Sequence, residues 1–306
     1  MAGAPLPPPA GGTGWKGLTI PLLIPAWAVV GIFMLLPVLL MVVYSFLTKE
    51  FRGGVVWDFT LAAYDQFFLN RGLFGDEPPV IEWTYISIFW RSIWQAALAT
   101  LACLLVGFPT AWFIATRPAA QRTVWLFLIT IPYWVNLLIR TVSLKFLIRE
   151  NGPLNDSLMS LGLITDPLPL VNTNLAVQLG LFYSYLPFMV LPVYAAVERY
   201  NFALSEAAAD LYAGRWTILR EIVLPVVRPG IVAGCILVFV PSLGAFLAPD
   251  LLGGAKTYMI GSLIDEQFRG SQGNWPFGAA VSVVLMTMVL LVLLWQARAA
   301  ARGARG

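Results

Sequence analysis

The residue types in this 306-residue sequence restrict the chemistry that it could perform. Histidine is absent and only two cysteines occur, so the sequence offers almost nothing for a His-ligated metal, a histidine general base or a disulfide framework. Cys103 and Cys235 both have Leu, Val and Ile neighbours, where a thiol acts as a small apolar group. We predict no metal site, and any catalysis would rest on the 16 Asp and Glu residues alone.

The segment 198–230 carries the most informative pair of carboxylates. Glu206 and Asp210 lie one helical turn apart and could pair with Arg or Lys side chains of another protein. Small and apolar residues recur around them at the spacing of one helix face, namely Leu204, Ala207, Ala208 and Leu211. The segment fits a helix that docks against a partner, but its periodicity alone favours an amphipathic helix on lipid headgroups with solvated charges.

Capping residues predict the ends of this short helix. Asn201 or Ser205 is suited to cap its start. Gly214 is predicted to supply the left-handed turn that ends it. A second helical stretch would then run from Arg215 until Pro225, which gives a helix, a turn and a helix lying across one membrane face.

The composition predicts a membrane protein. Hydrophobic residues make up 59% of the chain and charged residues 11%, and the mean hydropathy is +0.78. The net charge of +3 does not favour nucleic-acid binding. A spanning helix needs about 20 mostly apolar residues. The charge-free intervals supply six such spans, so we predict an all-α membrane protein with transmembrane helices at 20–46, 92–116, 123–140, 174–197, 229–249 and 276–297.

Lysine and arginine indicate the orientation. Six spans place both termini on one side, and the segments of that side hold ten of the 19 Lys and Arg residues in about 63 positions. The remaining nine are spread over a longer stretch on the opposite side. Since basic residues concentrate in cytoplasmic segments, both termini are predicted to be cytoplasmic.

The predicted spans contain no Asp, Glu, Lys or His, and arginines occur only at their edges. Carriers driven by protons or sodium usually keep ionisable groups at mid-membrane, so a secondary transporter is disfavoured. A membrane-embedded enzyme would lack the same groups. No G-x-x-x-x-G-K-[ST] loop is present, so this chain is not expected to bind ATP in the P-loop manner.

The segment around Glu206 resembles the EAA motif of bacterial ABC importer permeases. That motif reads Glu-Ala-Ala, three residues, Gly, nine residues, Ile, any residue, Leu-Pro, and residues 206–208 and 222–225 match it in place. The sequence departs from the motif at Tyr212, where the family has Gly; Gly214 follows two positions later.

Other stretches are similar to one branch of that family, the B-type permeases of polyamine (spermidine/putrescine) importers. The resemblance covers residues 20–298, and permeases for iron(III), aminophosphonates, opines or thiamine share much of the pattern. The similar stretches are Phe59, Thr60, Leu61 and Tyr64, followed by residues 132–140, 151–164, 249–268 and 274–280.

The resemblance implies a type-1 ABC importer transmembrane domain in the bacterial inner membrane, forming half of a pore. A second, C-type permease would complete the pathway, and a periplasmic binding protein would deliver the substrate. Two cytosolic ATPase subunits would bind ATP and Mg, so this chain would hold no cofactor and catalyse no reaction. The residues that would couple to the ATPase are Glu206, Ala207, Ala208, Asp210, Leu211, Gly214 and Arg215.

The resemblance also implies a division of the chain. A disordered cytoplasmic tail would precede the first span, a periplasmic segment would follow it, and the core would contain the cytoplasmic coupling loop. The predicted boundaries are 1–17 for the tail, 18–91 for the first span and periplasmic segment, 92–298 for the core, 198–228 for the coupling loop and 299–306 for a second tail.

A polyamine is a flexible polycation, so its site should offer carboxylates and aromatic faces. The aromatic candidates also fit the interfacial belt of most membrane proteins, and Asp250 also fits a plain helix end. Asn136 lies one turn from Arg140, with which it could form a polar lining pair. The candidates near the outer membrane edge are Tyr133, Trp134, Asn136, Tyr183, Tyr185, Asp250, Asp265, Glu266 and Trp275.

Two alternatives stay open beside the polyamine importer. The first is a permease of the same kind for iron(III) or another small organic amine. The second is an ATP-independent channel or facilitator, in which the segment 198–230 is only a surface helix. A facilitator needs no docking helix and works without nucleotide, so dependence on ATP separates the two classes.

Overall fold

The computed structural model describes residues 16–50, 54–70, 80–254, 257–270 and 273–303. Its α-helices, in chain order, are α1 (Lys16–Tyr44), α2 (Ala62–Phe68), α3 (Trp83–Ala115), α4 (Ala119–Trp134), α5 (Leu137–Ile148), α6 (Pro153–Ser160), α7 (Asn174–Glu198), α8 (Ala203–Asp210), α9 (Arg215–Thr217), α10 (Leu224–Leu243), α11 (Ile260–Arg269) and α12 (Trp275–Gly303). Two π-helical turns occupy Ile218–Val223 and Pro249–Gly253.

Short antiparallel strand pairs complete the segment between the first two spans. Thr48–Lys49 (β1) pairs with Val55–Val56 (β2), and Leu69–Asn70 (β3) pairs with Val80–Ile81 (β4). The predicted tail 1–17 lies outside the described residues except for its last two positions. The predicted tail 299–306 is helical as far as Gly303, because α12 continues beyond the apolar span.

Five helices of the described residues are long and apolar enough to cross a membrane. They are Trp27–Tyr44, Trp83–Ala115, Asn174–Glu198, Arg215–Leu243 and Trp275–Arg298. A sixth span is reached when α4 and the helical segment after it are taken as one bent pair. The all-α membrane fold is therefore as predicted.

The predicted span 123–140 is not one straight helix. The chain bends by 92° between α4 and the segment Leu137–Ser160. Pro132 removes a backbone donor in the last turn of α4, and Val135 adopts an extended conformation. The Asn136 side chain then starts α5 by accepting a hydrogen bond from the Leu138 N–H at 2.8 Å.

The fifth span begins earlier and ends earlier than the predicted 229–249. It runs continuously over Arg215–Leu243, so the predicted separate helix ending at Pro225 is wrong. Pro225 lies in the first turn of α10, directly after a π-helical turn. A count of charge-free intervals missed this start because the helix carries exposed charged residues, namely Arg220, Glu221 and Arg228.

The core lies where α3, α7 and α10 pack together. Buried Ala111, Val193 and Val227 belong to one apolar cluster that joins these helices. Gly230 and Gly234 allow α10 to approach α7 closely, because a Cβ at Gly230 would lie 2.7 Å from the Pro192 carbonyl oxygen. Small residues therefore set the spacing of the three central helices.

The loop after α5 is fixed by one buried amide. The Asn155 side chain is fully buried and donates to the carbonyl oxygens of Arg149 and Leu168, both at 3.1 Å. Its Oδ1 accepts a hydrogen bond from the Leu168 N–H at 2.9 Å. These three hydrogen bonds hold the two ends of the segment 149–168 together.

Replacing Asn155 with Ala should release this loop. The change removes three hydrogen bonds to backbone groups of Arg149 and Leu168, and each such bond contributes about 0.5–1.5 kcal/mol. We expect faster protease cleavage within 149–168 in reconstituted protein and a lower thermal unfolding temperature. Asn151→Ala is the matched control because Asn151 is exposed four residues away. Equal cleavage rates in the two variants would show that the Asn155 hydrogen bonds do not hold this loop.

Candidate functional site

The segment between the fourth and fifth spans carries α8 on an aromatic support. Trp112 of α3 contacts Tyr200 and Phe202, with ring centroids 6.2 and 5.4 Å away. The Tyr200 and Phe202 rings also contact each other at 5.3 Å. Because Tyr200 is buried, this cluster fixes the base of α8 to the C-terminal end of α3.

The residue directly before α8 is Phe202, which makes no side-chain capping hydrogen bond, and the predicted cap Asn201 lies one residue earlier. The Asn201 Oδ1 accepts a hydrogen bond from the Ala203 N–H at 3.1 Å, immediately before the helix. Ser205 does not cap it, since its hydroxyl is hydrogen bonded to the Tyr200 hydroxyl at 2.6 Å. None of the α8 residues is buried, so the helix presents most of its surface outward.

The left-handed residue that follows α8 is Tyr212, and the prediction of a left-handed Gly214 is wrong. Tyr212 has φ +61°, whereas Gly214 has φ −66°. The Ala213 N–H donates to the Ala208 carbonyl at 3.0 Å and the Tyr212 N–H donates to the Ala209 carbonyl at 2.9 Å, which is the Schellman pattern. The left-handed residue of that pattern is usually Gly, so Tyr212 carries local backbone strain.

Replacing Tyr212 with Gly should stabilise this turn. Gly adopts the left-handed conformation without the steric cost that a side chain meets, a difference of about 1 kcal/mol. We expect slower amide hydrogen exchange over 208–213 by several-fold. Ala213→Gly is the matched control, because Ala213 has no positive φ and its replacement should speed exchange. Exchange that becomes faster in Tyr212→Gly would contradict the strain.

The structure leaves the predicted coupling residues accessible. Glu206, Ala207, Asp210, Gly214 and Arg215 are exposed, and Ala208 is half-buried. Large apolar side chains are exposed beside them, with Leu211 at 82% and Tyr212 at 98%. Trp216, which we did not predict, is also exposed at 71%. Its position two residues after Gly214 in the motif region was the available signal.

At the opposite end of the molecule, two of the aromatic candidates surround Arg140. The guanidinium carbon lies 5.2 Å from the Tyr133 ring centroid and 5.9 Å from that of Tyr183. Asn136 does not pair with Arg140 through its side chain, because its amide oxygen caps α5. That Asn136 and Arg140 line a pathway together stays a prediction.

Of the remaining aromatic candidates, Tyr185 connects to Tyr133 through the Phe188 ring, whose centroid lies 6.3 Å from that of Tyr185 and 5.0 Å from that of Tyr133. The Tyr185 hydroxyl donates to the Pro241 carbonyl oxygen at 3.3 Å, which links α7 to α10. Trp134 is 74% exposed and contacts only the edge of Phe127 among the rings described. Trp275 is the first residue of α12 and is partly exposed. Among the described residues, no ring contact joins Tyr185, Trp134 and Trp275 to one another.

Three carboxylates gather around the second π-helical turn and α11. Asp250 lies in the turn, and Asp265 and Glu266 lie on α11. Arg269 forms an ion pair with Asp265, with Nη2 and Oδ1 2.5 Å apart. The Tyr258 hydroxyl donates to Glu266, and desolvation raises the Tyr258 pKa, with this hydrogen bond adding to the rise. Only Asp265 has a cationic partner among the described residues.

The electrostatics of this carboxylate cluster single out Asp250. Desolvation raises the pKa of the Asp250 carboxyl above its ordinary value, and the carboxylates of Asp265 and Glu266 add to the rise while Arg269 opposes it. In the part of the chain that the structure describes, no three acidic or sulfur side chains approach closely enough to hold a metal ion. The cluster thus offers separated negative charges, which suits a ligand with several spaced positive charges.

Known proteins resemble this chain in sequence and fold. The family of binding-protein-dependent transport system inner membrane components matches residues 104–303. The spermidine/putrescine transport system permease protein PotB of Escherichia coli (strain K12) is 40% identical over 268 residues, covering 87% of this chain and 92% of that protein. PotB of Haemophilus influenzae is 38% identical over 267 residues, covering 87% of this chain and 88% of that protein.

A solved structure has a similar arrangement of helices. A bacterial ABC transporter involved in the import of the acidic polysaccharide alginate aligns with a TM-score of 0.69 and 18% identity. The alignment covers 94% of this chain and 98% of the other. At that identity, the likeness establishes the architecture of the helices.

Proposed function

The chain belongs to the family of binding-protein-dependent transport system inner membrane components, and we propose that it is one of two permease subunits of an ATP-driven polyamine importer. The family predicted from the residues around Glu206 is thereby confirmed. A C-type permease would form the other half of the pathway. Two ATPase subunits would bind ATP and Mg, and a periplasmic binding protein would deliver the substrate.

The exposed helix α8 supports the coupling role. Its carboxylates Glu206 and Asp210 are solvent-accessible, and the small Ala207 lets another protein approach the helix backbone closely. The aromatic support at Tyr200 transmits a push on α8 to the core. Because α9 runs through a π-helical turn into α10, a displacement of α8 would also move the fifth span.

The observation that carries the substrate is the 40% identity to the spermidine/putrescine permease PotB over 87% of the chain. The chemistry of the outer end agrees with a polycation. Asp250 and Glu266 have no cationic partner among the described residues, and a protonated amine would replace water at such groups. The arrangement gives an anionic substrate no comparable attraction.

Substrate-stimulated ATP hydrolysis tests this function. The complete complex with its binding protein is reconstituted in proteoliposomes, and spermidine, putrescine and iron(III) are supplied separately. We expect uptake of a polyamine that requires ATP and stimulates its hydrolysis. Stimulation by iron(III) alone would assign the chain to the alternative substrate. Uptake that persists without the ATPase subunits would overturn the importer and favour a facilitator.

A further inference from the structure

The break between α4 and α5 forms a cradle for a positive charge. The Arg140 Nη2 donates to the carbonyl oxygens of Tyr133 at 3.3 Å and Val135 at 2.9 Å. These carbonyls end a helix, so they lie at the negative end of its dipole. The Tyr133 and Tyr183 rings add two aromatic faces around the same guanidinium. Discontinuous membrane helices commonly bind cations through such freed carbonyls.

The charge that fills this cradle is not neutralised. Arg140 is 6% exposed, and no carboxylate of the described residues lies within 4.0 Å of its guanidinium. Its Nε–H is buried and has no acceptor. A buried cation without a counter-ion is costly at membrane depth. Carbonyl dipoles and ring faces alone hold Arg140, and nothing in that set distinguishes a guanidinium from an ammonium ion.

An open cavity of about 650 Å³ lies against the cradle. Arg140, Ser143 and Tyr183 line it together with apolar side chains of α5 and α7. None of the described residues that line the cavity is acidic, so a cation in it would find its main stabilisation in the cradle. The Arg140 guanidinium fills the cradle itself.

We propose that Arg140 is a tethered cation that occupies the site of a substrate ammonium group and yields it during transport. This inference rests on the proposed polyamine function. A substrate ammonium would displace the guanidinium from the carbonyls of Tyr133 and Val135, and the tyrosine rings would contact it in turn. Without substrate, Arg140 excludes other cations from the cradle by charge and by occupancy.

Thiol labelling at Ser143 tests whether the charge of Arg140 controls entry of cations. Ser143→Cys is introduced into the full complex after Cys103 and Cys235 are replaced by Ala. The labelling rate with a trimethylammonium-ethyl methanethiosulfonate is divided by the rate with the neutral ethyl methanethiosulfonate. We expect Arg140→Gln to raise this ratio on the order of tenfold, because a like charge a few ångströms away is removed.

Two further variants separate charge from structure. Arg140→Lys keeps a cation in the cradle and should keep the native ratio. Arg149→Gln is the matched control, because Arg149 also lies over an aromatic ring, that of Phe146 at 5.2 Å, but is exposed. An unchanged ratio in Arg140→Gln, or an equal rise in Arg149→Gln, would overturn the tethered cation.

Protection by spermidine tests whether the substrate enters the cradle. In the Arg140→Gln variant, saturating spermidine should slow labelling by the cationic reagent several-fold. If the native complex imports spermidine but spermidine gives no protection, the substrate does not enter the cradle and the inference fails. If the native complex does not import spermidine at all, the proposed function fails, and the labelling ratio still reports on the cradle.

Discussion

Replacing Glu206 with Lys is expected to reduce ATP-driven uptake by tenfold or more while the complex still assembles. Glu206 is an exposed carboxylate in the first turn of α8, and in the proposed importer it would pair with a basic group of the ATPase. Placing two like charges at such a contact costs several kcal/mol, which corresponds to a loss of this order. Uptake and substrate-stimulated ATP hydrolysis in proteoliposomes measure the effect.

The matched control for this variant is Glu221→Lys. Glu221 is also exposed and acidic, but it lies on the π-helical turn rather than on α8. The same reversal of charge there should leave most of the uptake intact. Equal loss in both variants would assign the effect to net charge at the membrane face. Full uptake activity in Glu206→Lys would contradict the proposal that α8 couples to the ATPase and would favour a helix that only lies on the membrane surface.

The substitution Asp250→Asn removes a carboxyl charge. It should raise the apparent KM for spermidine uptake about tenfold, because one attractive charge near the substrate is lost. The effect should also depend on pH. The pKa of Asp250 is raised by desolvation and by Asp265 and Glu266, so this carboxyl gains its proton at a higher pH than an ordinary Asp. Native affinity should therefore weaken as the outer pH falls toward that raised pKa.

Initial uptake rates over a series of outer pH values check this prediction. The acid-side loss of affinity should be absent in Asp250→Asn, whose side chain cannot titrate. Asp166→Asn is the control, since Asp166 is an exposed outer carboxylate outside the cluster. A native affinity that does not change with pH, or an identical pH profile in Asp250→Asn, would remove Asp250 from the substrate site.

The two candidate sites lie at opposite ends of one helix. The π-helical turn Ile218–Val223 joins α8 and α9 to α10, and the turn Pro249–Gly253 follows α10 and carries Asp250. Wider turns of this kind lack the regular helical hydrogen bonds and often mark functional positions. The helix α10, which lies between the two turns, packs closely against α7 at Gly230, and we expect it to carry movement from one turn to the other.

The amino-acid sequence by itself determined the class of this protein and its family. Charge-free intervals of about 20 apolar residues predict membrane spans, because a helix of that length crosses the hydrocarbon core of a bilayer. The coupling segment was also readable, since its spacing of Glu206, Ala207 and Ala208 is local. These features depend only on composition and on residues close together in the chain.

Only the tertiary structure decided where the strain and the charges lie. The left-handed turn falls on Tyr212 rather than on Gly214, because the length of α8 sets which residue follows its last turn. The break after α4 turned Arg140 toward the rings of Tyr133 and Tyr183. Contacts between residues more than forty positions apart depend on how whole helices pack, and hydrophobic spacing along one helix does not specify that packing.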